Sequence, residues 1–100
     1  MKIEFKNGLV KECSNIVEQK TFVAGTAKGW ILSGSIMNTS SSEADSMFIP
    51  DNFSQIKLYN DNELQDEPVC TLNGYTKLNS VTIRYSDGFP VAVFQITKEA

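Results

Sequence analysis

The residues best suited to chemistry in this chain are its acids. Asp61, Glu63, Asp66 and Glu67 run almost together, with Asn62 and Gln65 between them, and oxygen ligands at alternate positions are what a calcium loop supplies. The calcium-loop pattern fails here because its glycine and terminal glutamate are misplaced and Leu64 interrupts. The stretch therefore reads as a solvated loop between two strands. Glu43, Asp45 and Asp51 form a second acidic group. Paired carboxylates can do acid–base work, as in glycosidases, but only across a cleft. Beside a short helix these acids are accounted for by capping and by the helix dipole.

A third candidate is Gly25 to Gly29 with Lys28. A phosphate loop needs G-x-x-x-x-G-K-[ST] between a strand and a helix. Here the lysine precedes the second glycine and a strand follows, so a turn between strands is expected. The chain has no histidine, which removes the Ser-His-Asp triad, the Cys-His dyad and histidine metal sites. Cys13 and Cys70 are too few for a zinc site and do not form C-x-x-C; both read as small buried residues. No catalytic residue, metal or cofactor is expected, and the chain does not read as an enzyme.

Charge excludes further classes. Nine Lys and Arg against 12 Asp and Glu give a net charge of -3, unlike a basic nucleic-acid binder or a polybasic membrane-surface protein. The apolar run 89–94 contains Pro90 and falls far short of the ~20 residues that span a bilayer. Ile3, Glu4 and Phe5 alternate as in a strand and do not resemble a signal peptide. The sequons at Asn38 and Asn52 therefore read as chance matches. At 100 residues the chain reads as one domain, 1–100.

The elements that would hold these residues are mostly strands. Asn7-Gly8, Asn73-Gly74 and Asp87-Gly88 suit positions of positive φ. Residues 3–5 and 9–10 predict an opening hairpin. Val81, Ile83 and Tyr85 alternate, Asp87-Gly88 reverses the chain, and 91–96 returns with apolar residues on both sides, which predicts cover on both faces. Pro90 belongs at that strand's start. Further strands are predicted over 15–24, 30–37, 56–59 and 69–72, with Gly34 marking a bulge or a close backbone approach. One short helix is expected at about residues 41–48, capped by Ser41 or Ser42 and ended by Pro50. The fold class is mainly β, a small antiparallel sandwich or partly open barrel of about seven or eight strands. Trp30 is assigned to the core. Tyr75, beside a turn glycine, and Tyr59 are the candidate partner contacts.

Several of these segments in their order resemble small proteins encoded in the tail modules of phages and prophages of Gram-positive bacteria. They are residues 2–8 (Lys2-Ile3-Glu4-Phe5-Lys6-Asn7-Gly8), the helix before a strand at 56–59, the acidic turn, Gly74-Tyr75-Thr76 and the closing hairpin 81–96. The resemblance implies a non-catalytic virion or tail-assembly part acting by protein–protein contact, with no catalytic residues to carry over. It implies other protein subunits as partners, further copies of this chain included, and neither nucleic acid nor membrane. The implied location is the bacterial cytoplasm, or the virion after assembly. A small cytosolic adaptor or ligand-binding β-domain is the alternative from the residues alone.

Overall fold

A computed structural model describes residues 1–60 and 67–99. It contains β1 (Lys2–Phe5), β2 (Val10–Val23), β3 (Thr26–Met37), α1 (Ser41–Met47), α2 (Pro50–Phe53), β4 (Gln55–Tyr59), β5 (Cys70–Asn73), β6 (Lys77–Ser86) and β7 (Phe89–Glu99). The strands form a mainly antiparallel fold of one seven-stranded sheet in the order β5-β4-β1-β2-β3-β7-β6.

A single sheet encloses a core because β2 changes partner along its length. Val10 to Glu12 pair with β1, and from Cys13 onward the strand pairs with β3. The change falls between Glu12 and Cys13, and a bulge follows at once between Ser14 and Val17, where Asn15 has φ 55. Such a bulge bends its strand, so β1, β4 and β5 turn back over β3 and β7. Gly34 lies against this corner as the alternation suggests: a Cβ there would overlap the Ile16 side chain and press the Phe94 ring at 3.2 Å.

The two edge strands, β5 and β6, are joined by residues 74–76 alone. A link that short reaches roughly 10 Å, so the edges approach at one end. There Gly74 N–H donates to Ser54 O (3.0 Å), Thr76 N–H to Thr97 O (3.1 Å) and Lys98 Nζ to Asn73 O (3.0 Å). The sheet curls without closing into a barrel.

The helices cover the concave side. Ser40 caps α1 by accepting Glu43 N–H (3.3 Å), one residue ahead of the expected cap. Pro50 begins α2 at its first turn, where its missing N–H costs nothing, and does not simply end α1. The Phe48 ring sits between Phe5 (5.7 Å, edge-on) and Phe94 (5.1 Å), joining β1 to β7. Ile3, Leu32, Ile36, Phe53, Ile56 and Ile96 are fully buried around it. The apolar atoms of β7 face this core at Ala92, Phe94 and Ile96, whereas Val93 and Gln95 are half-exposed on the convex side. The expected cover on both faces is complete on the concave side and partial on the other, where Val91 is buried.

Of the turn dipeptides, Asp87 (φ 52) and Gly88 (φ 84) close the β6–β7 hairpin directly between the paired Ser86 and Phe89. Gly74 also has positive φ (88°), but it turns the link between the two edges. The expected loop at 25–29 is shorter than it reads. Ala24 and Gly25 make the turn, and Thr26 to Gly29 already pair within β3.

Candidate functional site

Tyr75, expected to be exposed, is completely buried. The link 74–76 carries it under the curled edge, and its hydroxyl donates to Glu18 Oε2 from β2. Lys98 Nζ of β7 stands 4.8 Å from the ring centroid while also bonding Asn73 O. Burial first, then the hydrogen bond to Glu18 and its negative charge, hold the Tyr75 hydroxyl far above its ordinary 10.0. Partial desolvation of the otherwise exposed Cys70 thiol, reinforced by the Glu18 charge, raises its pKa as well. The geometry locks a neutral phenol in place and ties β2, the edge link and β7 together. Tyr75 is thus removed as a partner contact.

Tyr59 is half-buried on the outward side of β4 and donates to Glu4 Oε1 at 2.6 Å. That bond is the main cause of its raised pKa. Tyr59 ends β4, whereas the chain leading to Tyr75 leaves β5 at Asn73, which pairs with Gln55 at the other end of β4. Cys13 is buried as expected, while Cys70, expected to be buried too, is exposed at the start of the edge strand β5. Trp30 is half-buried against the core with Lys20 Nζ 5.2 Å from its ring.

The acidic candidates separate. Glu43 is held below the ordinary carboxylate range chiefly by its 2.7 Å bond to Lys11, which also donates to Asn38 O (3.0 Å). Asp45 and Asp51 are exposed. The acidic stretch 61–67, read as a solvated loop between strands, lies, except for Glu67, outside the described residues. Among the described residues no three His, Cys, Asp or Glu come together as metal ligands, and no helix is long and apolar enough to cross a membrane.

A residue the sequence reading did not single out for structure is Asn52, taken there only as part of a sequon. It is buried, its Nδ2 donating to Met47 O (2.9 Å) and its Oδ1 accepting Asn7 N–H (3.0 Å). It therefore pins the opening hairpin to α1. Beside it Lys6, Asn7, Ser46, Ile49 and Asp51 line an open hollow of about 260 Å³.

The surface features that nothing inside the molecule uses are at the far end of the sheet. Among the described residues β6 is an edge strand, paired with β7 alone. Its hairpin displays Tyr85 (76 % exposed) and Phe89 (62 %) on either side of Asp87-Gly88, and at the opposite end the β2–β3 hairpin displays Phe22 (62 %). An unpaired edge carries free backbone donors and acceptors, so its chemistry is strand pairing and apolar contact.

This architecture belongs to the class of small antiparallel β-domains with a curled, open sheet. Against protein-family models, curated proteins and solved structures, the chain matches none.

Proposed function

We propose that this protein is a non-catalytic assembly subunit that works by protein–protein contact, of the kind carried in phage and prophage tail modules. The observation that supports this best is the free edge of β6, ending in a hairpin that holds Tyr85 and Phe89 in solvent. A ten-residue edge is long enough to template pairing, whereas the other edge, β5, has only four residues. Exposed aromatics beside a pairing edge are the anchors from which interfaces draw most of their energy. Tyr59, facing outward from β4, is a secondary contact on this reading. Partners are other protein subunits, and the site of action is the bacterial cytoplasm during assembly and the virion afterwards.

The test is mass spectrometry of virions purified from a bacterium carrying the gene, with the neighbouring genes read alongside. Stoichiometric incorporation beside tape-measure or baseplate genes supports the proposal. Absence from particles, with metabolic genes alongside, overturns it.

A further inference from the structure

The edge of β6 has a pattern that names its partner. The bulge in this strand lies between Leu78 and Ser80, so pairing with β7 is regular from Ser80 to Ser86. Over that segment the residues are Ser80, Val81, Thr82, Ile83, Arg84, Tyr85 and Ser86. Read from either end the order of types is the same: Ser outermost, then an apolar residue, then a polar one, with Ile83 at the centre. Val81, Ile83 and Tyr85 share the concave side, because they pair with Phe94, Ala92 and Pro90. Thr82 and Arg84 face outward.

An antiparallel pair of identical strands is related by a two-fold axis, so each residue meets the one equally far beyond the axis, and a segment whose residue types match when reversed sets like against like. We infer that β6 pairs antiparallel with β6 of a second copy of this chain, centred on Ile83, to give one continuous sheet across two subunits. In that register Ile83 opposes Ile83 of the second copy, Val81 opposes its Tyr85, and Thr82 opposes its Arg84. Aromatic and β-branched residues facing each other across an antiparallel pair are a favoured combination. The pairing therefore covers Tyr85, the most exposed large apolar side chain among the described residues. A slip by one residue would set Val81, Ile83 and Tyr85 against the polar set, which disfavours that register. The two Arg84 side chains lie diagonal to each other at the exposed face, where salt screens their repulsion. The segment contains no proline and no inward-pointing charge, two of the features that blunt an edge. A single short strand pair of this kind gives weak, reversible association.

This inference rests on the assembly reading but is tested apart from it. In a Cys70→Ser background, chains carrying Ser80→Cys are mixed with chains carrying Ser86→Cys under mild oxidation. Ser80 opposes Ser86 of the second copy at roughly 5 Å between Cα atoms, within disulfide range. Two copies of the same variant hold their new thiols roughly 20 Å apart. The expected result is a disulfide dimer in the mixture and none in either variant alone. Tyr85→Ala should weaken the self-association of the otherwise native chain, read by sedimentation, by about tenfold or more while leaving the monomer's melting temperature unchanged. Three results overturn the pairing: a wild-type chain that stays monomeric at millimolar concentration, cross-linking in single-variant samples equal to the mixture, or a Tyr85→Ala chain that associates like wild type. Loss of the pairing with the protein still present in virions would refute this inference alone, and the reverse pattern would refute the assembly reading alone.

Discussion

Replacing Tyr75 decides whether this aromatic is an internal clamp or a contact residue. Its ring is fully buried, and its hydroxyl meets the Glu18 carboxylate at the rim of the core. A hydrogen bond to a charged group contributes about 1.5–3 kcal/mol when both sides are sheltered. Glu18 is exposed, so in Tyr75→Phe its carboxylate can take water, and no buried charge is stranded. The cost of Tyr75→Phe therefore falls near the low end, about 1.5 kcal/mol, or a melting temperature lower by roughly 6–12 °C in a domain of this size. Tyr75→Ala removes the ring as well, with a cavity beneath Lys98, and is expected to cost about 3–5 kcal/mol.

The same site has an alkaline signature. The folded-state pKa of Tyr75 is raised above the unfolded value of 10.0, so the folded chain keeps a proton that the unfolded chain releases. Its contribution is fully present below pH 10 and is lost as pH rises above it, by at most about 1.4 kcal/mol per pH unit. Urea titrations of wild type and Tyr75→Phe at pH 7 to 11 should converge as pH rises. If Tyr75→Ala costs less than about 0.5 kcal/mol, as an exposed side chain would, the clamp is refuted. Parallel alkaline profiles for wild type and Tyr75→Phe would refute the role of the hydroxyl.

Three further perturbations test the elements around this clamp. Gly34→Ala should cost about 1–3 kcal/mol by overpacking against Ile16 and Phe94, and Gly34→Ala with Ile16→Val should cost less than the two changes summed; strict additivity in a double-mutant cycle would show that Ile16 is not the obstacle. Asn52→Ala should cost about 2–4 kcal/mol by chemical denaturation, because the N–H of Asn7 and the carbonyl of Met47 lose a shared partner. Asn52→Asp should not rescue it, since a carboxylate replaces the donor facing Met47 O. Glu43 has a folded-state pKa below its ordinary 4.5, so its stabilising effect is present above that value and fades as pH falls through the lowered one; Glu43→Gln should flatten the acid arm of the stability profile, measured by thermal melts from pH 2 to 6.

What could be read from the chain was what neighbouring residues decide among themselves. Asp87-Gly88 names a two-residue hairpin because few other residues take positive φ at low cost, and the flanking alternation supplies its strands. Gly34 signalled a close approach for a similarly local reason. The helix ends were read less well: the cap is Ser40, not Ser41 or Ser42, although Ser40 and Glu43 stand at the S-x-x-E spacing of a capping box, and Pro50, expected to end the one helix, opens a second. Tyr75 was not legible in this way. A tyrosine after a turn glycine is exposed if that glycine closes a hairpin and buried if it turns a crossing between edges. Which of these applies depends on the partner of β5, chosen elsewhere in the chain. Cys70 shows the same limit from the other side. Its apolar character suggested burial, but it opens a four-residue edge strand with solvent beyond it.

The burial of Tyr75 and the exposure of β6 follow from one topological fact. β5 and β6 are consecutive in the chain but end opposite edges of the sheet, and the link 74–76 has to cross between them. The crossing is possible only because β2 bends and brings the edges together at one end, and Tyr75 fills the space under the crossing. Once past it, β6 pairs with β7 on one side only and runs away from the covered core. Leu78 and Val81 still pack against that core, whereas Tyr85 stands beyond its rim. The aromatic residue that suits a contact is therefore the one carried furthest from the crossing, and the curl that draws Tyr75 inward is what leaves Tyr85 outside.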